Sequence, residues 1–88
     1  MKDLFAEAVA SRLRELRAGK KLTLKEVSDI SGISVDAIAR YENNKNSITI
    51  TNLYKLVEVY NISLIIFFKE VYAKTQELKI EEGNHNEA

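Results

Sequence analysis

The fold is decided by residues 24–43, which read LKEVSDISGISVDAIARYEN. Thr23 precedes Glu26 by three residues, and this is the spacing of a capping box that starts a helix. Gly32 ends that helix, because glycine adopts the left-handed backbone conformation at low cost. Ser34 is a suitable N-cap for a second helix over the rest of the stretch. The stretch therefore predicts two short helices joined by a tight turn.

The spacing within this stretch is that of a helix-turn-helix, in which two helices cross through a turn that contains glycine. Apolar or small residues occupy the positions that must face inward, namely Val27, Ser28, Ile33, Ile38 and Tyr41. Ser31 is the exception, because an apolar residue is usual at its position. Ser28 is small enough to let the second helix cross closely over the first.

The rest of the chain continues the helical pattern on both sides. Apolar residues at helical spacing predict a first helix over residues 3–18, and Thr49 and Ser63 are N-cap candidates for two later helices. The helix after Thr49 carries a predicted buried stripe of Ile50, Leu53, Val57 and Tyr60, and Asn61 is a left-handed stop. We predict an all-α, five-helix fold with one domain over residues 1–72. Residues 73–88 are predicted to extend the fifth helix to about Glu82 and to end in a flexible polar tail.

Composition excludes several classes of function. The 88 residues contain no cysteine, so neither a disulfide nor a Cys-ligated metal can form. The one histidine, His85, lies three residues from the end, and its position disfavours a His-based metal cluster or a Ser-His-Asp triad. The longest apolar run, residues 64–68, is far shorter than the roughly 18 residues of a membrane span. No basic-then-apolar leader opens the chain. We expect a cytoplasmic protein that is not an enzyme and that uses no cofactor, metal, membrane or evident small-molecule ligand.

The net charge is zero, but its distribution is uneven. Residues 1–45 carry nine basic and seven acidic side chains, whereas residues 46–88 carry four and six. Five of the bases lie close together, namely Arg12, Arg14, Arg17, Lys20 and Lys21. This cluster predicts a positive patch that a partner could meet.

The sequence resembles the Cro/lambda-repressor-type (Xre) DNA-binding regulators over about residues 10–68. The similarity is carried by Arg-Glu-Leu-Arg (14–17), Leu-Thr-Leu-Lys-Glu-Val-Ser (22–28), Gly-Ile-Ser (32–34), Ile-Ala-Arg-Tyr-Glu-Asn-Asn-Lys (38–45) and Asn-Ile-Ser-Leu (61–64). The resemblance implies a cytosolic, homodimeric transcriptional regulator that binds a pseudo-palindromic operator in double-stranded DNA. Chain size and the Asn-Ser-Ile-Thr stretch at 46–49 are also similar to restriction–modification controller proteins, with a phage-type repressor as the alternative.

Four positions depart from the family's pattern. Leu24 replaces a glutamine that often opens the second helix, and Lys21 and Asn44 replace glycines. Ile48 replaces a proline. The first departure puts one phosphate contact in doubt, whereas asparagine is a tolerable left-handed substitute for glycine.

The second helix of the motif corresponds to a recognition helix, whose N-terminal residues lie at base edges in the major groove. Predicted base contacts are Ser34, Val35, Asp36 and Arg40. Arg40 can donate two hydrogen bonds to guanine, Asp36 can accept one from cytosine N4, and Val35 can contact a thymine methyl group. Each has a plainer alternative. Arg40 and Asp36 can pair with each other one turn apart, Asp36 suits the first turn of any helix, and Val35 is an ordinary exposed valine.

Phosphate contacts are expected from helix N-termini and flanking loops. The predicted residues are Thr23, Leu24 through its backbone N–H, Lys25, Asn43, Asn44 and Lys45. For each lysine, a solvated surface charge is the alternative.

Arg17 and Glu42 match two residues that form an ion pair in the resembled family. The resemblance implies a largely buried, bidentate pair that fixes the recognition helix against the first helix. Its role would be structural.

The fifth helix begins with Ile65 and Ile66, where the family usually has polar residues. Together with its neighbours they make the helix apolar on almost every face, and such a helix must be covered on every face. We predict a two-fold homodimer interface that contains Tyr54, Ile65, Ile66, Phe68 and Tyr72. The alternative is that residues after Ala73 fold back over these side chains.

A second function class remains open. The neutral charge and Leu24 favour an antitoxin-like protein-interaction module, in which the apolar fifth helix binds a partner and DNA binding is secondary. Catalysis is disfavoured, because Asp36 and Glu42 lie six residues apart and face different ways.

Overall fold

The computed structural model describes the backbone of residues 3–87 and the side chains of residues 3–82. Within that part the chain forms five α-helices and no strand: α1 (Leu4–Gly19), α2 (Leu24–Ser31), α3 (Val35–Glu42), α4 (Ile50–Val59) and α5 (Leu64–Glu87). The predicted all-α, five-helix fold with a helix-turn-helix at α2 and α3 is confirmed. None of the described helices is both long enough and apolar enough to cross a membrane.

Each helix begins where a side-chain oxygen accepts a hydrogen bond from a backbone N–H three residues later. The capping residues are Asp3, Thr23, Ser34, Thr49 and Ser63. At α2 the capping box is complete: the N–H of Glu26 donates to Thr23 Oγ1 at 3.0 Å, and the N–H of Thr23 donates to Glu26 Oε1 at 2.9 Å. Short polar side chains therefore set the helix starts.

Three of the helices end in the same way, through a residue other than glycine with positive φ. These residues are Lys21, Asn44 and Asn61, with φ of 56°, 55° and 56°. After α1, the N–H of Lys21 donates to the Ala18 carbonyl and the N–H of Leu22 donates to the Arg17 carbonyl, which is the Schellman pattern. Gly32 ends α2 with φ of 79°. Lys21 and Asn44 thus adopt the left-handed conformation in place of the family's usual glycines.

Lys21→Gly is expected to raise the free energy of unfolding by about 0.5–1 kcal/mol. The left-handed conformation costs a side-chain-bearing residue about 1–2 kcal/mol, and the greater freedom of glycine in the unfolded chain offsets part of the gain. Urea denaturation followed by circular dichroism measures the change. Lys20→Gly is the matched control, because Lys20 has a right-handed φ of −87°; it should lower stability. Equal effects at both lysines would contradict the explanation.

The core lies where the five helices meet. Its largest fully buried side chains are Tyr60, Phe67, Leu13, Ile38, Leu56, Val27, Val57 and Val71. The predicted stripe of α4 is correct for Leu53, Val57 and Tyr60, but wrong for Ile50, whose side chain is 64 % exposed. Ile50 is the first residue of α4 and lies at the rim of a surface groove, so it cannot reach the interior. Leu56 provides the further buried side chain of this helix.

Helix α5 is longer than predicted, since it continues past Glu82 to Glu87. Gly83 lies inside it, because one glycine costs a helix about 1 kcal/mol and does not by itself end it. The helix packs along α1, where Arg12 makes two hydrogen bonds to Glu70, and Lys74 Nζ lies 2.7 Å from Glu15 Oε2. The side chains of the predicted tail lie outside the described residues, and the boundary at residue 72 stays a prediction.

Candidate nucleic-acid interface

Helices α2 and α3 cross over a small apolar contact, as the spacing predicts. Val27, Ile33 and Ile38 are buried, and Ser28 is half-buried beside them. The turn is held by Ser31, whose hydroxyl accepts a hydrogen bond from the N–H of Ile33 at 3.1 Å. That contact accounts for a serine where an apolar residue is usual.

The α3 helix is also fastened to α4. The side-chain amide of Asn52 donates to the Tyr41 hydroxyl at 2.9 Å. Tyr41 is half-buried and packs against the core. The inner face of α3 is therefore fixed, and its outer face is presented to solvent.

The outer face of α3 exposes three of the four predicted base contacts, and the fourth caps the helix. Val35, Asp36 and Arg40 are exposed. Arg40 Nε donates to Asp36 Oδ2 at 3.0 Å, so the two side chains pair one turn apart. Ser34 is exposed, and its hydroxyl accepts from the N–H of Ala37. All four side chains are accessible to a duplex, and their contact with bases stays a prediction.

The predicted phosphate contacts are exposed except for one side chain. Thr23, Lys25, Asn43, Asn44 and Lys45 lie at the surface, and the Leu24 side chain is half-buried against the core. Several of these groups bond within their own helices: Lys25 pairs with Asp29 at 3.1 Å, and the amide of Asn43 donates to the Ala39 carbonyl. A phosphate would have to replace these local bonds, or use the backbone N–H groups at the start of α2.

An ion pair joins α1 to the end of α3. Arg17 Nε donates to Glu42 Oε2 at 2.7 Å, and Nη2 donates to Glu42 Oε1 at 2.9 Å. The remaining Nη1 donates to the Leu22 carbonyl at 3.0 Å. The Glu42 side chain is only 6 % exposed, and its hydrogen bonds raise the pKa of Arg17 above the ordinary value. The pair has the bidentate, largely buried geometry that the family resemblance implies.

A second arginine of α1 contacts the same end of α3, and the sequence did not indicate it. Arg14 Nη1 donates to the backbone carbonyl of Glu42 at 2.6 Å. A cation is favourable there, because the C-terminus of a helix carries a partial negative charge. We call Arg14, Arg17 and Glu42 the α3 clamp. It fixes the direction in which α3 leaves the body of the protein.

The predicted positive patch is wrong for Arg12 and Arg17, whose charges are paired with glutamates, whereas Arg14 is exposed and donates only to a neutral backbone carbonyl. Arg12 is bound to Glu70 of α5, and Arg14 and Arg17 belong to the α3 clamp. Lys20 and Lys21 remain exposed at the end of α1. Arg12 binds Glu15, three residues away, and Glu70, 58 residues away, whereas the partner of Arg14 and Arg17 lies 28 and 25 residues away. Local charge counts carry no information about the distant partners.

The buried hydroxyl of Tyr60 lies close to the ion pair of Arg17 and Glu42. Within the described side chains, the Tyr60 hydroxyl is buried and has no hydrogen-bond partner. Burial, reinforced by the charge of Glu42 and opposed by Arg17, raises the pKa of Tyr60 to about 12. An unpartnered buried hydroxyl destabilises a fold by about 1–3 kcal/mol.

Tyr60→Phe is therefore expected to raise the free energy of unfolding by about 1 kcal/mol at neutral pH. A second effect depends on pH. The folded-state pKa of Tyr60 is raised from the ordinary value of 10.0 to about 12, so the unfolded chain loses this proton first as pH rises. The wild type should lose stability from pH 10 to pH 12 more steeply than the variant. Denaturation curves at pH 7, 10 and 11 compare them, and parallel curves would contradict burial as the cause.

A face of exposed apolar side chains lies on α5 and α4. Ile65 is 76 % exposed and Tyr72 is 65 % exposed, with Ile66 and Tyr54 also at the surface. Phe68 is half-buried and packs edge-on against Phe67. Residues after Ala73 continue α5 to Glu87, so they do not fold back over this face as the alternative supposed. The α5 face is defined here as Tyr54, Ile65, Ile66, Phe68 and Tyr72.

An apolar groove adjoins the α5 face. It has a cavity volume of about 340 Å³ and lies between the start of α1, the α3–α4 connection and Phe68. Phe5 and Ile50, both largely exposed, line its edge. Among the side chains of residues 3–82, no group of acidic, histidine or cysteine residues is arranged to hold a metal ion.

Comparison with known proteins places this geometry among gene regulators. A family described as helix-turn-helix matches residues 13–67. The HTH-type transcriptional regulator PuuR of Escherichia coli (strain K12) is 38 % identical over 63 residues, which cover 72 % of this chain and 34 % of PuuR, and PuuR of Shigella flexneri matches equally. The chain thus spans about a third of the length of these curated relatives.

A solved structure shares the fold over nearly the whole chain. The crystal structure of the clp gene regulator ClgR from Corynebacterium glutamicum has a TM-score of 0.88 and covers 98 % of this chain, which covers 92 % of ClgR. The two sequences are 21 % identical. The likeness therefore concerns the fold alone.

Proposed function

Because the chain belongs to the helix-turn-helix family of Cro/lambda-repressor-type (Xre) DNA-binding regulators, we propose that it is a sequence-specific transcriptional regulator that binds a pseudo-palindromic operator as a homodimer. The observation that carries the proposal is the outer face of α3. It exposes Val35, Asp36 and Arg40 on a helix whose inner face is fixed to α1 and α4. A helix so presented can enter the major groove and contact base edges with these side chains.

The proposed dimer rests on the α5 face. Ile65, Ile66 and Tyr72 expose apolar surface on one helix, and Tyr54 adds to it from α4. Several large apolar side chains exposed on neighbouring helices favour an interaction site there. A second copy is its natural partner here, because a two-fold axis presents the same apolar residues from both sides. It would also present two α3 helices to half-sites about 34 Å apart.

The net charge of the chain is zero, so the molecule as a whole does not attract DNA. The electrostatic contribution to DNA binding therefore comes from cations close to the helix-turn-helix. Lys25 lies exposed on α2, and Lys45 lies exposed just after α3. Each phosphate that they neutralise releases counterions from the duplex. Affinity should therefore fall steeply as salt rises, with a slope that reports the number of phosphates contacted.

The proposal is tested by selecting bound duplexes from a random pool with the full chain and repeating the selection with Arg40→Ala. We expect a two-fold symmetric consensus for the wild type and loss of preference at one symmetric base pair for the variant, worth about 1–3 kcal/mol. Lys79→Ala, which removes an exposed cation near the far end of α5, should leave the consensus unchanged. A pool that shows no preferred sequence would contradict the proposal.

The α5 face also favours a second candidate, an antitoxin-like module that binds another protein there. Titration with salt separates the two functions, because association through apolar area does not release counterions as phosphate contacts do. Duplex binding that is weak and unselective, together with a monomeric chain, would favour the second candidate. No feature of the described residues distinguishes a restriction–modification controller from other regulators of this family, so the general role is proposed.

A further inference from the structure

The pairing of Asp36 with Arg40 uses only one edge of the arginine. Arg40 Nε donates to Asp36 Oδ2 at 3.0 Å. A guanidinium carries five N–H donors, of which one is on Nε and four are on the two Nη atoms. Within the described side chains, the Nη atoms of Arg40 make no hydrogen bond. The edge formed by these two atoms is therefore left for a partner outside the molecule.

The open edge has the chemistry of a guanine contact. Guanine presents O6 and N7 side by side, and two parallel N–H donors satisfy both. A free arginine samples many rotamers and must lose that freedom to bind. An arginine held through Nε by a carboxylate on the preceding turn has already lost part of that rotamer freedom before it binds the duplex.

We propose that Asp36 is a positioning residue: it orients the Arg40 guanidinium for a guanine and sets the specificity of the complex without itself contacting a base. This inference rests on the proposed function, and it assigns Asp36 a role other than the cytosine contact that the sequence suggests. With one of its two carboxylate oxygens, Oδ2, engaged by Nε, Asp36 acts through Arg40.

The carboxylate has a second effect, on binding to duplexes of any sequence. The Asp36 side chain is 78 % exposed, and its negative charge repels phosphates at the mouth of the groove. It therefore weakens non-specific and specific binding together, whereas the orientation of Arg40 strengthens only the specific complex. The orientation of Arg40 therefore raises the ratio of specific to non-specific affinity, which is the quantity that matters in a genome, whereas the repulsion lowers both affinities together.

A matched pair elsewhere on the motif separates these two effects. Lys25 and Asp29 on α2 form the same kind of exposed pair one turn apart, at 3.1 Å. Asp29 is not on the recognition helix. Asp29→Ala therefore removes one exposed carboxylate from its paired lysine, Lys25, without altering the orientation of Arg40.

The experiment measures base preference by selection from a random duplex pool, and affinity for the selected and a scrambled duplex, for the wild type and four variants: Asp36→Ala, Asp36→Asn, Asp29→Ala and Arg40→Ala. We expect Asp36→Ala and Arg40→Ala to lose preference at the same symmetric base pair, by about tenfold for the former. Asp36→Ala should bind the scrambled duplex more tightly than wild type, whereas Arg40→Ala should bind it less tightly. Asp36→Asn, which keeps an oxygen acceptor for Nε, should retain most of the preference.

Other outcomes would overturn the inference. Loss of preference at a different base pair in Asp36→Ala would make Asp36 a base contact in its own right. Asp29→Ala should bind the scrambled duplex more tightly than wild type and should leave the selected consensus unchanged. If Asp29→Ala instead altered the consensus in the same way as Asp36→Ala, the lost preference would be due to the removed negative charge alone. An unchanged consensus in Asp36→Ala would leave Asp36 without a role in specificity. Failure of the proposed function is seen separately, as a wild type that selects no sequence.

Discussion

Arg17→Met is expected to lower the free energy of unfolding by about 3–5 kcal/mol, because it leaves the Glu42 carboxylate buried without its charged partner. Glu42 is 6 % exposed and takes both side-chain hydrogen bonds from Arg17. Water therefore cannot replace the lost guanidinium. Urea denaturation at neutral pH measures the loss, and a chain of 88 residues has only a small margin of stability to lose.

Arg12→Met is the matched control for this experiment. Arg12 also binds a glutamate through two nitrogens, but the Glu70 side chain is 37 % exposed and can be rehydrated when the arginine is removed. We expect a loss of about 1 kcal/mol there. Replacing both Arg17 and Glu42 by methionine should recover much of the loss, because no buried charge then remains. A loss at Arg17 no larger than that at Arg12 would show that Glu42 is effectively solvated.

Ile65→Glu is expected to convert the proposed homodimer into a monomer and to weaken operator binding by about a hundredfold or more. The two-fold axis would bring two carboxylates into the apolar interface, and each buried charge costs several kcal/mol. The variant should remain folded, because the Ile65 side chain is 76 % exposed in the single chain. Sedimentation equilibrium gives the molecular mass, and circular dichroism checks the fold.

Ile30→Glu provides the control for Ile65→Glu. Ile30 is 65 % exposed and lies on α2, outside the α5 face. The same change of side chain there should leave the molecular mass of the dimer unchanged. A wild type that sediments as a monomer at concentrations where it binds a two-fold operator would refute the proposed interface.

Local signals in the sequence predicted the helix boundaries well. The hydroxyls of Thr23, Ser34, Thr49 and Ser63 start helices, and Gly32 and Asn61 end them. These devices act over three or four residues, so a single sequence contains the whole of each. The exposure of Val35, Asp36 and Arg40 follows from helical spacing in the same way.

Features that depend on distant residues were not predicted from local patterns. Glu70 as the partner of Arg12, and the Glu42 carbonyl as the partner of Arg14, lie in other helices, and no local spacing indicates them. The pair of Arg17 with Glu42 was expected only because of the family resemblance. The exposure of Ile50 depends on the groove that other segments form beside it, whereas α5 continues through Gly83 because one glycine does not by itself end a helix.

The α3 clamp has a consequence for how relatives of this chain can diverge. The angle at which α3 meets a groove is set from α1, through Arg14 and Arg17, and from α4, through the bond of Asn52 to Tyr41. Altered operators are then expected to arise by exchange of the outward residues alone, on an unchanged frame.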